Sequence, residues 1–297
     1  MAKPIVVGVD GSRESSAAAH WAAREALRRG LPLRLVHAWE GLPEPGTQVR
    51  LPELSAPQYR ARGVLRSVSA GLLGGYPTLS VSTEQVKNSP VPALLAESAS
   101  AELLVLGSQG LGSVSGVLAG SVALAAAAHA ACPLVLVRAA FTRDSEHLSF
   151  GGAAGTCGPL RDVALAVDLR QPSGAVTEFA FHAAELWNAP LRVVHAWHVP
   201  LRKGLVGRDE RAAAKECAET GLAAALSAWR ATFPKVPVRE VVVEGRPVHH
   251  VPRAAAGAGL LVVGRRSRPA ALGPHTGAVT HAVIHHVGCP VAVVAHE

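Results

Sequence analysis

Residues 107–121 read GSQGLGSVSGVLAGS, a run of Gly, Ser and small apolar side chains that follows directly on Leu103-Leu104-Val105-Leu106. A Cβ blocks close approach of the backbone and penalises positive φ, so a stretch this rich in glycine is suited to bring main-chain N–H groups against a ligand. It ends at Gly120-Ser121-Val122, which reads as the start of a helix. Unpaired N–H groups and the positive end of the helix dipole favour an anion there, and phosphate fits best. Ser121 adds a hydroxyl donor. Asp10, in VVGVDGS, is the second chemically useful residue. Ionised, it only accepts hydrogen bonds, which suits an adenine amine, a ribose hydroxyl or a hydrated metal ion. Two plainer readings stand beside these: Asp10 as a cap for the following helix, and the loop as a crossover that holds nothing.

Other chemical signatures are missing. There is no G-x-x-x-x-G-K-[ST], and the glycine loop follows the fourth strand of its unit, unlike a dinucleotide fingerprint. Gly112 to Gly116, GSVSG, puts Val114 where a nucleophile elbow needs serine. The loop can cradle phosphate, but nothing obvious attacks it. Fourteen histidines include His281 and His285, four apart on a predicted helix, with His286, His275 and His249-His250 elsewhere. No glutamate stands between the pair in an H-E-x-x-H arrangement and no third ligand has a readable spacing, so no metal site is expected. Cys132, Cys157, Cys217 and Cys289 form no C-x-x-C pair and read as reduced thiols, two of them buried.

The elements that position these residues come in two copies. LRLVHAW at Leu33–Trp39 recurs as LRVVHAW at Leu191–Trp197, and VVGVD ending at Asp10 as VALAVD ending at Asp168, both displaced by 158. LLVLG ending at Gly107 recurs as LLVVG ending at Gly264, and ACPLVLVR from Ala131 as GCPVAVVA from Gly288, both displaced by 157. Four ordered matches mean a duplicated domain. The reading is a first domain at 1–143, a polar, Gly-rich linker at 144–158 and a second domain at 159–297. In the first copy the patterning predicts strands at Ile5–Val9, Leu33–Trp39, Leu79–Val86, Leu103–Leu106 and Leu134–Val137. It predicts helices at about Ser12–Arg29, Pro57–Gly74, Val91–Ala99 and Ser121–Ala130, with Ser12 as an N-cap. Strands apolar on both faces and separated by helices call for an α/β fold: two tandem, doubly wound, five-stranded parallel-sheet domains, Rossmann-like. Ligands of such sheets bind at the carboxyl ends of the strands, where GVDGS, HAWE and the glycine loop converge.

Composition narrows the classes further. The net charge of +7 is spread as +4 over 1–143, −2 over 144–157 and +5 over 158–297, and two Tyr and five Phe give no stacking platform. No nucleic-acid partner is expected. No apolar run reaches the roughly 18 to 20 residues of a membrane span, so no membrane partner is expected either. MAKPIVVGVDGS runs straight into a strand without signal-peptide layout, from which a cytoplasmic location is expected.

Gly107, two residues, Gly110, nine residues, Gly120-Ser121 is the G-2x-G-9x-G-[ST] spacing of the ATP-binding universal stress proteins. The chain resembles a tandem member of that family through VVGVDGS, LVHAW, LLVLGSQGLG, LAGSV and ACPLVLV in its first half and their counterparts in the second. The resemblance implies an adenine nucleotide alpha hydrolase-like fold, ATP as cofactor, with magnesium as a companion ion, and a regulatory or sensing role in stress and slow growth. It implies that Gly8, Asp10 and the Ala38 backbone line the adenine and ribose side. Gly107, Gly110, Gly112, Gly120, Ser121 and Val122 would wrap the phosphates, with Ser108, Gln109, Leu111 and Ser113 donating backbone N–H groups. It also implies that the final strands, PLVLV and PVAVV, join the two copies into one pseudo-twofold unit, leaving helical or loop faces for a homodimer, with a regulatory protein as a further candidate partner.

The second copy departs from this pattern. Asp168, Ala196, Gly264 and Gly277 match Asp10, Ala38, Gly107 and Gly120, but Ser267 replaces Gly110, Ala278 replaces Ser121 and Ala166 replaces Gly8. Arg265, Arg266 and Arg268 could hold phosphate through side chains instead, or stand as a solvated surface. The expectation is one competent site in the first copy and a weakened or repurposed one in the second. His37 and His195, at equivalent strand ends, either line the crevice or are core histidines with a satisfied hydrogen bond. For function the sequence favours a nucleotide-binding regulator, with a slow ATPase using Asp10 and magnesium, and a partner-binding scaffold, as the alternatives.

Overall fold

The computed structural model describes residues 2–40, 56–109, 120–148, 158–198, 207–266 and 276–297. The chain divides into two compact units, Met1–Thr142 and Arg143–Glu297. The first runs β1 (Ile5–Gly8), α1 (Arg13–Arg29), β2 (Leu33–Trp39), α2 (Ala56–Gly75), β3 (Val81–Lys87), α3 (Pro90–Ser98), β4 (Leu103–Ser108), α4 (Ser121–His129) and β5 (Leu134–Arg138). All its strands are parallel, in the order β3-β2-β1-β4-β5. Helices α1 and α2 touch each other on one face, and α3 and α4 touch on the other. The chain therefore winds outward in both directions from the β1/β4 boundary, which is the doubly wound arrangement.

Local chemistry accounts for the elements. The β1, β4 and β5 strands are buried almost throughout because helices cover both faces, and their Val/Leu runs supply no polar face. Helix α1 begins where expected: Ser12 is extended at the N-cap and its hydroxyl accepts from the Ser15 N–H at 3.1 Å. Its buried face includes Ala18, Ala19, Ala22, Ala23 and Ala26, small side chains that let the helix lie close on the sheet beside the buried Trp21. Pro90 opens α3, where its missing N–H costs nothing.

The second unit repeats the pattern as β6 (Val163–Val167), α5 (Gly174–Leu186), β7 (Leu191–Trp197), α6 (Arg208–Thr232), β8 (Val238–Glu244), α7 (Pro247–Ala254), β9 (Leu260–Arg266), α8 (Ala278–His286) and β10 (Val291–His296). Its strand order is β8-β7-β6-β9-β10, again parallel. Phe181 on α5 stacks on Trp229 and Phe233 at ring-centroid distances of 6.0 and 5.3 Å, joining α5 to the end of α6. Before β6 the chain forms a 3₁₀ turn at Asp144–Glu146 and an antiparallel bridge between His147 and Leu160. Glu146 is fully buried and its carbonyl accepts from the Arg161 N–H at 2.8 Å. Among the described residues no helix is long and apolar enough to cross a membrane.

Candidate functional site

Strand β1 is short, and its neighbours outrun it. Gly8 lies opposite Val36, while β2 continues to Trp39. Val7 lies opposite Val105, while β4 continues to Ser108. The overhang lies at the carboxyl end of β1, where the winding reverses and where sheets of this kind have their ligand crevice. The Val9 N–H donates to the Val36 carbonyl at 2.8 Å, the last rung of the β1–β2 ladder. Main-chain groups of alternate residues face alternate neighbours in a parallel sheet, so Ala38 turns its N–H and C=O toward the space past β1, whereas His37 and Trp39 face β3. Ala38 thus presents one donor and one acceptor on a rigid strand. Ala196 has the same position past the end of β6, with the Trp197 carbonyl accepting from Gly245 on the β8 side.

Asp10 begins the turn into α1. Its Oδ1 accepts from the Ser12 N–H at 2.9 Å and from the Ser12 hydroxyl at 2.6 Å, and its own N–H donates to Ser15 Oγ at 3.3 Å. Partial burial alone would raise its pKa. The hydrogen bonds from Ser12, with that of Ser15, outweigh this and hold the carboxyl below the usual aspartate value. Asp10 does not cap α1 itself: one oxygen braces the N-cap residue Ser12, while the carboxylate stays ionised at the rim of the crevice. Gly11, at φ +86°, makes the short turn possible. His37 Nδ1 lies 2.6 Å from the Val9 carbonyl, and His195 Nδ1 3.0 Å from the Val167 carbonyl, so in each copy the histidine pins the residue before the aspartate. This is the satisfied-histidine reading.

The glycines at the strand ends are explained first by packing. A Cβ on Gly107 would lie 2.5 Å from the Glu14 carbonyl carbon and 2.7 Å from the Ser15 nitrogen, so this glycine lets the first turn of α1 rest on β4. A Cβ on Gly8 would lie 2.6 Å from Leu106 Cδ2 and 3.0 Å from Leu94 Cδ2. In the second unit Ala166 takes the place of Gly8, and the matching neighbours shrink to Val263 and Val251. The volume moved from neighbours to strand, which the motif comparison alone does not reveal.

Beyond Gly107, Ser108 is the last residue of β4; it is 3% exposed and its Oγ has no hydrogen-bond partner among the described residues. Gln109 follows, partly exposed. Gly110, Leu111, Gly112 and Ser113 lie outside the described residues, as do Ser267 and Arg268. Gly120 is the N-cap of α4, with no side-chain cap, leaving Ser121 exposed and Val122 half-buried on its first turn. Among the described residues no side chain caps these N–H groups, and a helix start of this kind favours an anion.

The second unit differs at each of these points. Asp168 Oδ1 accepts from the Arg170 N–H at 3.0 Å, but the helix cap is Ser173, five residues on, because Leu169–Pro172 lengthens the turn. A Cβ on Gly264 would meet the His296 ring at 2.8 Å, not a helix backbone. Gly277, at φ +75°, starts α8, and Thr280 on the first turn donates to the Gly264 carbonyl at 3.0 Å where the first unit has Ala123. Arg265 replaces Ser108 and is buried, which lowers its pKa from the usual arginine value. Arg266, at the end of β9, is half-buried. VDLRQPS against VDGS was the sequence signal for the longer turn.

The family model described as the universal stress protein family matches residues 1–138 and again 159–295. The chain belongs to that family. Universal stress protein Rv2005c of Mycobacterium tuberculosis (strain ATCC 25618 / H37Rv) is 35% identical over 99% of both chains. A universal stress protein from Archaeoglobus fulgidus DSM 4304 has the same fold over 99% of this chain and 98% of its own, with a TM-score of 0.68 at 14% identity. A universal stress protein solved in complex with cAMP covers 47% of this chain and 100% of its own, at 26% identity and a TM-score of 0.36. Among the described residues no group of three or more His, Cys, Asp and Glu side chains could hold a metal ion. Cys132 and Cys289 are buried free thiols and Cys217 an exposed one, while Cys157 lies outside the described residues.

Proposed function

We propose that the first unit binds an adenine nucleotide, ATP in particular, and that occupancy sets the state this universal stress protein presents to a regulatory partner under stress or slow growth. The observation that carries the reading is one edge holding three complementary features. Ala38 offers an outward donor and acceptor, Asp10 an ionised acceptor, and α4 a helix start without a side-chain cap. Ser108 fits the same reading, since a buried hydroxyl without a partner among the described residues is satisfied by an acceptor oxygen. The base and ribose belong with Ala38, Asp10 and Gly8. The phosphates belong with Gly107, Ser108, Gln109, the G-2x-G-9x-G-S residues Gly110, Leu111, Gly112 and Ser113, and the Gly120-Ser121-Val122 turn.

Bound ATP, with magnesium, would supply a polyanionic tail and a phosphoanhydride. The chain's own residues would orient that tail through amides. Asp10 already spends one oxygen on Ser12, which favours holding over hydrolysis. In the second unit Asp168, Ala196, Gly264, Arg265 and Gly277 keep part of the arrangement, but Ala278 lacks the hydroxyl of Ser121 and the turn after β6 is longer. We therefore assign it the weaker site. Titration of the protein with ATP tests the reading: Gly110→Ala is expected to weaken binding with little change in thermal stability, and unchanged affinity would remove the glycine loop from the site.

A further inference from the structure

Helix α2 and the edge strand β3 of the first unit enclose an open groove of about 690 Å³. Its helix side includes Arg62, Leu65, Arg66 and Leu73, and its strand side Thr83 and Gln85. Arg62 and Arg66 are exposed, and neither has an ion-pair partner among the described residues. No acidic residue occurs anywhere in Ala56–Gly75. The nearest acid on the strand, Glu84, points to the other face, where it lies 3.8 Å from Arg34.

The second unit provides an internal control. Glu240 stands where β3 has Thr83 and is paired with Arg230 of α6 at 2.7 Å, and Glu244, in place of Lys87, lies 3.6 Å from Arg211. Helix α6 also carries Asp209, Glu210, Glu216 and Glu219, and Glu219 and Ala223 stand at the places of Arg62 and Arg66. In the first unit, among the described residues, neither α2 nor this face of β3 has an acid. Among the described residues the strand beside α2 is also unpaired on one side: Leu33 donates to the Ser80 carbonyl, so the main-chain groups of Ser82, Glu84 and Val86 face β2 and those of Val81, Thr83 and Gln85 face outward. The strand contains no proline to block an added neighbour.

We infer that this edge receives an extended acidic peptide, added as a strand alongside β3 with alternate carboxylates on Arg62 and Arg66. Residues four apart on a helix have Cβ atoms about 5–6 Å apart. Every second residue of a strand repeats at about 6.6 Å. A D/E-x-D/E segment can therefore set one carboxylate on each guanidinium while its main chain completes the sheet, the usual division between affinity from backbone and specificity from side chains in strand addition. Leu73, 44% exposed, offers an apolar contact at one end of the groove.

A fluorescein-labelled Val-Glu-Val-Glu-Val peptide, titrated with the full chain and read by anisotropy, tests this. Saturable binding is expected, weakened at least about tenfold by R62E/R66E and restored to that variant by the Val-Lys-Val-Lys-Val peptide. N-methylation of alternate peptide amides is expected to weaken binding in one register and spare it in the other. Circular dichroism and a urea melt of R62E/R66E, whose changed side chains are exposed, check that the fold is intact. Absence of saturable binding, or binding indifferent to R62E/R66E, overturns the inference. So does displacement of the peptide by inorganic tripolyphosphate at equal concentration, which would make the occupant a small anion. Concentration-dependent dimerisation abolished by R62E/R66E would make it a second copy, and would equally overturn it.

Discussion

Gly8 and Ala166 occupy one place in the two copies, and their neighbours change with them from Leu94 and Leu106 to Val251 and Val263. Gly8→Ala is accordingly expected to cost about 1–3 kcal/mol, as overpacking usually does. Adding Leu94→Val and Leu106→Val is expected to recover most of that loss, a non-additivity that urea melts of the single and combined variants would read. Ser108 makes the opposite case. Ser108→Ala removes a buried hydroxyl that has no partner among the described residues, so the nucleotide-free protein is expected to hold or gain up to about 1 kcal/mol while ATP affinity falls. A loss of stability without a loss of affinity would assign Ser108 to the fold alone. Asp10 brings a pH signature. Its folded pKa lies below the unfolded value, so its contribution is fully present above the ordinary carboxylate range and is lost as pH falls through the folded pKa. Ser12→Ala removes the hydroxyl donor to Asp10 and the cap to Ser15, and is expected to cost about 1 kcal/mol at neutral pH, with the gap to the parent narrowing in acid.

At the level of elements, most of the first unit was legible in the sequence. The strands at Leu33–Trp39 and Leu134–Arg138, the helices from Arg13 and Ser121, and the Ser12 cap follow from short Val/Leu runs, helical spacing and N-cap chemistry, which are local signals. What was not legible depends on contacts distant in the chain. The glycine motif singles out Gly107 as a ligand contact, but only the packed structure shows α1 lying on it. Gly107→Ala is thus expected to destabilise the fold by more than Gly264→Ala, because a helix backbone cannot yield as the His296 ring can; equal losses in denaturant melts would contradict this. Likewise the position of Cys132 before a strand predicts burial. Its environment then pushes the thiol pKa up to about 11, chiefly through that burial. Among the described thiols, a disulfide-exchange reagent is expected to modify Cys217 first and Cys132 only on unfolding.

Across the whole molecule, duplication has allowed one copy to keep what the other has altered. The first unit has the short VDGS turn, Ser121 at the helix start and, among the described residues, arginines on α2 without ion-pair partners beside β3. The second has a lengthened turn, a buried arginine in place of Ser108, a threonine tether on α8 and ion pairs joining α6 to β8. The repeat and the motif loss were visible in the sequence, because they are differences in residue type at fixed displacement. The tether and the ion pairs were not, since each joins residues whose proximity only the fold creates. We assign nucleotide binding to the first unit. Isothermal titration of the full chain with ATP and magnesium checks that assignment. One nucleotide per chain is predicted, with affinity reduced by Ser121→Ala and untouched by Arg265→Ala; two equivalent sites, or binding that depends on Arg265 and ignores Ser121, would contradict it.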